Sequence, residues 1–473
     1  MATIYASAPG TGSGGSGTSG SPYTGIHDAI HALIAAGAGS ELLLKTGTYT
    51  PSMAWNTITW GSGSPGSLYT IRPETFTADT TRGIPGGTTS VIWRTTGGAA
   101  FNFGVAGAGY WTIRGIEFDA TNLTAGTINY INHNYGNNNI EFRNCKFSNR
   151  AQTSAALVVH VDYANTGAQT TLRNNSVRYC WFTNAAAQAS HDIYCRSSGN
   201  VFEHNLFASN TQRAAIQFFA SNGTGYNVQQ NTVRFNEFKD YGDVGTNNGN
   251  VLFGENCSRN YVYCNLFHDS PTRYAIDFHG GSGISGDSSD NLAAYNTIYN
   301  CLRGIIVGSA TTGFTGTILK KNIAYSNGST AAHNLVYNCS GTVKLGNSVD
   351  GTNPQFTDAG NDDYTLSAST PSGIRADSVL AGSPFDDVDY TGATRDATNP
   401  SMGAYEYDAA STPEPPINVF PNPGGYTVTK NTATNLTGLS VTQDGSLTTE
   451  CWLSLDGNAT WTDVDTSGGA TSN

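Results

Sequence analysis

An all-β solenoid of short strands is the architecture encoded by this 473-residue chain, and three features of the sequence say so. A six-residue phrase recurs through its middle, one place in that phrase is held by Asn or a small residue, and the surrounding segments alternate apolar with polar residues without a helical period. Composition agrees. With 56 glycines, 38% apolar and only 12% charged residues, the chain is neither a coiled coil nor a highly charged disordered segment.

The phrase is an apolar residue, two variable residues, Asn or a small residue, one variable residue, then an apolar or aromatic residue. It runs from Ile113 to Phe118, Phe142 to Phe147, Val177 to Phe182, Phe202 to Phe207, Val233 to Phe238, Val262 to Phe267 and Ala293 to Ile298. Its fourth place holds Ile116, Cys145, Cys180, Asn205, Asn236, Asn265, Asn296 and Asn322, at intervals of 25 to 35 residues. Asparagine suits such a place because its amide bonds both to the next Asn and to turn backbone, and it tolerates left-handed dihedrals. Stacked coils are therefore expected to carry an internal Asn ladder, with Cys145 and Cys180 as buried thiols on the same line.

These features resemble the right-handed parallel β-helix proteins of the pectate-lyase-like superfamily, and the resemblance covers residues 20–408. Tyr23 to Ala36, with Ile26, Ala29, Ile30, Leu33 and Ile34 at helical spacing, followed by Glu41 to Tyr49, is similar to that family's N-terminal capping helix and first strand. Asn353 to Phe356, Asp363 to Leu366, Gly382 to Pro384, Arg395 and Met402 to Glu406 resemble the terminal segment of surface-associated β-helix proteins. The implied organisation is a flexible segment over 1–22, a β-helix domain over 23–408, a Pro-rich linker over 409–424 and a small β-sandwich-like module over 425–473, read as truncated. Ser454 to Trp461 resembles an Asp-box hairpin, with Asn458 where that motif has glycine. Such boxes stabilise turns, so the module's expected role is attachment.

With 23 basic and 35 acidic side chains the net charge is −12, which argues against a nucleic-acid surface. No window approaches the ~18 apolar residues of a membrane helix, and Met1 to Gly20 lacks a basic region and an apolar signal core. No membrane insertion is expected. The resemblance places the protein outside the cell or on a virion surface, as a homo-oligomer such as a trimer or a larger assembly. The eight cysteines form no CxxC pair and no Cys/His zinc spacing, so they read as buried free thiols.

A second set of strands lies between the phrases: residues 158–162, 192–196, 215–219, 250–254, 275–279 and 304–308. In a strand alternate residues face opposite sides. Ile193/Cys195, Ile216/Phe218, Val251/Phe253, Ile276/Phe278 and Ile305/Val307 must then point inward, and their alternates form a strip on one outer wall. Coils stack about 4.8 Å apart, close to the repeat of about 5 Å along a polysaccharide, so strip and glycan match in pitch.

The strip holds two groups of candidate catalytic residues. His160, Asp162, Tyr194 and Arg196 suit β-elimination on an acidic sugar, Arg196 neutralising the carboxylate while His160 or Tyr194 moves a proton. Asp277 and His279, with Glu255 in the preceding coil's turn, suit hydrolysis, because Asp277 falls between Leu252 and Ile306 and desolvation would raise its pKa. Gln217, Phe219, Asn250 and Glu255 are the candidate substrate-binding residues. The competing reading is ordinary: Asp162 and Arg196 make a cross-strand ion pair worth less than ~1 kcal/mol, and Asp277 bonds to a turn amide.

Relatives of this kind commonly use calcium held by clustered carboxylates, but the strip has no such cluster and no lysine. No cofactor is therefore expected, with Ca2+ at Asp240 to Asp243 or Gly286 to Asp290 as the alternative. The expected function is binding, with cleavage by β-elimination or hydrolysis, of an acidic polysaccharide, as in secreted lyases and phage tailspikes. The alternative is a non-catalytic structural or adhesive surface protein.

Overall fold

The structure, a computed structural model, describes residues 1–50, 58–78, 80, 82, 90–94, 101–103, 108–122, 129–133, 138–149, 155–159, 172–183, 191–208, 213–220, 227–240, 249–254, 256–278, 288–308, 314–328, 334–336, 343–345, 352–376, 388–407, 451–454, 461–464 and 470–472. The chain divides into two units, Met1–Tyr407 and Asp408–Asn473.

The larger unit is a parallel β-helix with three walls. Its first wall is a 12-stranded sheet from Thr3–Ala6 and Glu41–Leu44 through Ser176–Arg178 and Thr232–Arg234 to Val343–Leu345, with parallel neighbours throughout. The second wall includes Glu117–Asp119, Lys146–Ser148, Trp181–Thr183 and Glu237–Lys239; the third includes Ile193–Cys195, Ile216–Phe218 and Gly249–Phe253. Two long strands, Leu266–Phe278 and Thr297–Val307, run unbroken from the second wall into the third, which joins both walls into one 17-stranded sheet.

The recurring phrase is the corner between the first and second walls. The residue before each ladder place is left-handed: Gly115, Asn144, Tyr179, His204, Phe235, Cys264, Tyr295 and Lys321 have φ between 50° and 65°. That kink turns the next side chain inward. The backbone N–H and the amide of Asn205 both donate to Oδ1 of Asn236, at 2.9 and 3.0 Å, and the pattern repeats from Asn236 to Asn265, Asn265 to Asn296 and Asn296 to Asn322. Each amide thus satisfies the buried corner backbone, which unpaired would cost about 1–3 kcal/mol per group.

A second ladder, not anticipated from the sequence, lines the corner that enters the first wall. Asn175, Asn200, Asn231 and Asn260 each donate to the next Asn along it, the last to Asn291. The sixth place of the phrase supplies a column of rings, Phe147, Phe182, Phe207, Phe238 and Phe267, with successive centroids 4.6 to 4.7 Å apart. Cys145, Cys180, Cys195, Cys257, Cys264 and Cys301 are buried free thiols, as expected.

The helix Ile26–Ala36 buries Ile26, Ala29, Ile30 and Leu33 in the same core and packs on the first two strands of the first wall. Within residues 1–22, expected to be a flexible segment, Thr3–Ala6 is a strand. Thr3–Ala6 pairs with Glu41–Leu44, and Ala6 is fully buried, so the apolar end of the segment extends the wall.

Toward the other end of the unit, Phe356–Asp358 pairs antiparallel with Asp363–Leu366. Met402 packs with Ile323, Leu366 and Ile374. Arg395 donates to the carbonyls of Ser401, Gly403 and Ala404 and to Glu406, while its guanidinium lies 4.4 Å from the Tyr295 ring centre. Gly382 to Pro384 lie outside the described residues. In the smaller unit Cys451–Ser454, Trp461–Val464 and Ala470–Ser472 form an antiparallel three-stranded sheet. The linker and residues 455–460 of the Asp-box-like phrase lie outside the described residues.

Candidate functional site

The third wall carries the strip expected from alternation. Tyr194, Gln217, Leu252, Asp277 and Ile306 are Cα partners in series, so five coils place them in one row. The inward set of Ile193, Cys195, Ile216, Phe218, Val251, Phe253, Ile276, Phe278, Ile305 and Val307 is buried. Four of the expected site residues, His160, Asp162, Glu255 and His279, lie outside the described residues.

Alternation identified the row but not its exposure. Asp277 is only 2% exposed, stacked between Leu252 and Ile306, and the Gly249 N–H bonds to it. Burial pushes its pKa up to about 8, which the Gly249 bond only partly opposes, so the carboxyl holds its proton at neutral pH. Arg196, expected in the open, is 3% exposed because its guanidinium lies over the Phe219 ring at 5.7 Å. Tyr194 stacks with Phe219 at 6.4 Å and with His191 at 5.4 Å, so Tyr194, Arg196 and Phe219 do converge, around an imidazole that sequence reasoning missed. Asn250 is corrected from an outward substrate contact to a buried one. Its strand starts at a corner, where its amide donates to Ser270 of the long strand Leu266–Phe278 at 3.4 Å.

The first wall presents a charged row that the sequence reading did not isolate. Arg114, Arg143, Arg178, Glu203 and Arg234 are Cα partners in consecutive coils. Glu141 lies 3.5 Å from Arg114 and 3.8 Å from Arg143, and Glu203 lies 3.0 Å from Arg178 and 2.6 Å from Arg234. Four guanidiniums against two carboxylates leave two positive charges in excess, on a chain whose net charge is −12. The arginine side chains remain 21 to 35% exposed. Beside them the left-handed corner residues stack as a second column: Arg143 over Tyr179 at 4.6 Å, Tyr179 on His204 at 4.8 Å and His204 on Phe235 at 4.9 Å. Burial, reinforced by Arg82, Arg234 and Arg178, pushes the His204 pKa down to about 4, so this ring is neutral.

The second wall pairs its upper charges internally, Arg94 with Asp119 and Lys146 with Glu117. Lower down, His268, Asp269 and Asp362 bring one ligand atom each to within 4.8 Å of one another, the one such group found among the described residues. Of the candidate calcium loops Asp240 to Asp243 and Gly286 to Asp290, residues 241–243 and 286–287 lie outside them.

No family model matches the chain, and no curated protein matches it. Among solved structures, the pectate lyase Pel9A superposes with a TM-score of 0.51 at 16% identity, over 86% of this chain and 97% of that one. XylC, in its complex with xylose, superposes with a TM-score of 0.50 at 9% identity, over 86% of this chain and 98% of that one. These similarities agree with the strand topology: the fold is a pectate-lyase-like parallel β-helix.

Proposed function

We propose that this pectate-lyase-like parallel β-helix is a glycan-binding protein of an extracellular or virion surface, and that its ligand is an acidic polysaccharide. One observation carries the reading: the in-register row that offers partly exposed guanidiniums from Arg114, Arg143 and Arg178 in three successive coils, and from Arg234 beyond the intervening Glu203, in an otherwise acidic protein. Arginine binds carboxylates through paired N–H donors, and the coil spacing of about 4.8 Å lets sugar carboxylates meet guanidiniums repeatedly. The stack of Tyr179 on His204 beside the row adds ring faces for sugar C–H groups.

Affinity electrophoresis through gels holding polygalacturonate, alginate or a neutral glucan tests this. Retardation is expected in the two acidic gels, weakened by salt and by Arg143→Ala with Arg178→Ala. Equal mobility in all three gels sinks the reading.

A second reading adds turnover on the third wall, favoured by the buried, protonated carboxyl of Asp277 in line with Tyr194 and Gln217. In it the two groups act separately: Asp277, with His279, is the proton donor of a hydrolytic site, while Tyr194 and Arg196, three coils and so about 14 Å away, serve β-elimination with His160 and Asp162. Unsaturated-uronate absorbance and reducing ends, followed with acidic polysaccharides, separate lyase, hydrolase and binder. The adhesive alternative predicts retention without either product.

A further inference from the structure

We propose that His268, Asp269 and Asp362 form a divalent transition-metal site that fastens the segment 356–366 to the second wall. Nδ1 of His268 lies 2.9 Å from Oδ2 of Asp269 and 3.6 Å from Oδ1 of Asp362. Zinc holds imidazole nitrogen at about 2.0–2.1 Å and carboxylate oxygen at about 2.0–2.2 Å, so its ligand atoms stand about 3–4 Å apart, which fits these separations.

The surroundings are those of a built site. His268 is fully buried, and its other nitrogen, Nε2, faces Oε1 of Glu237 at 3.3 Å. A carboxylate on the far nitrogen fixes the tautomer that leaves Nδ1 for a metal. Asn300 donates to the second oxygen of Asp269 at 2.7 Å, and the Tyr364 hydroxyl lies 3.4 Å from both Asp269 Oδ2 and Asp362 Oδ1. Lys239 stands 3.8 Å from the outer oxygen of Asp362.

A proton on Nδ1 makes one short bond, to Asp269, and leaves Asp362 at a longer distance. A divalent ion accepts both carboxylates together with the nitrogen. The mixed nitrogen and oxygen set points to Zn2+, Co2+ or Mn2+ rather than to Ca2+, which takes oxygen ligands alone.

The test uses the full chain after chelator dialysis. Calorimetric titration with Zn2+ is expected to show one equivalent bound, and Co2+ to give a visible d–d absorption with the same stoichiometry. Asp362→Asn changes an exposed residue and should leave the fold intact while lowering Zn2+ affinity at least about tenfold and abolishing the thermal shift given by the metal. The exposed pair His27 and His31, whose Nε2 atoms lie 3.2 Å apart, is a competing site, so a His27→Gln/His31→Gln background is included. The assignment is overturned if wild type takes up neither ion, if Asp362→Asn binds as wild type does, or if the background variant loses the bound equivalent.

Discussion

Gly249 and Asp277 stand against each other in adjacent coils: a Cβ built on Gly249 would fall 2.6 Å from Cβ of Asp277 and 2.8 Å from its amide nitrogen. Backbone cannot move aside as a flexible side chain can. Gly249→Ala is therefore expected to destabilise the protein by about 1–3 kcal/mol through overpacking, against the gain of about 0.4–1 kcal/mol that alanine brings where it fits. The sign of the change in urea midpoint decides.

Asp277 also sets a pH dependence. Its folded pKa is raised to about 8, whereas an unfolded chain releases that proton near about 3.9. The folded state binds the extra proton between these values, so this group's contribution makes stability fall as pH rises from about 4 to about 8, then level off. Asp277→Asn keeps an acceptor for the Gly249 N–H and cannot ionise. It should flatten that decline and be more stable than wild type at pH 9, by roughly 1–5 kcal/mol. Parallel curves for both proteins in pH-resolved denaturation would contradict the assignment.

Asn236 accepts two bonds from Asn205 and donates to the Phe202 carbonyl and to Asn265. Asn236→Ala strands several buried groups, each costing about 1–3 kcal/mol, and is expected to destabilise by about 3 kcal/mol or more. Asn236→Asp keeps the acceptor but loses the donor, and buries a carboxylate that must protonate. Its deficit should shrink at low pH, read by the same unfolding assay.

Arg395 holds the carbonyls of Val388, Ser401, Gly403 and Ala404 and the carboxylate of Glu406 with a planar fork and covers Tyr295. Lysine has the charge but not the geometry. Arg395→Lys should therefore loosen residues 388–407, seen as faster amide exchange there, with the first-wall strands far from it unchanged.

The coils were legible because the corner needs a left-handed residue followed by an inward Asn, and that requirement writes the same phrase into each repeat. The second ladder escaped notice because the place two residues after its Asn holds Val177, Phe202, Val233, Val262 and Ala293, which are the opening residues of the first phrase, so no separate column of rings marks it. On the third wall, alternation placed Tyr194, Gln217 and Asp277 in one row correctly. It could not report burial, since period two gives the side of a strand and not what covers it; Arg196 and Asn250 were misread for that reason. His268 was missed because it adjoins a ladder phrase read as structural, and because Asp362 reaches it only through the folded terminal segment.

Five thiols shut inside the coils, and that of Cys264 shut beneath the segment of Val388 and Arg395, have a consequence for handling the protein. Burial holds those of Cys180, Cys195 and Cys301 well above the usual range, which suppresses the reactive thiolate while the chain stays folded. Once melted in air, the same sulfurs become free to cross-link at random, and cooling would then return tangled polymer instead of native protein. A reductant in the melt should restore reversibility, so an apparent melting point recorded without one measures a rate of loss and not an equilibrium.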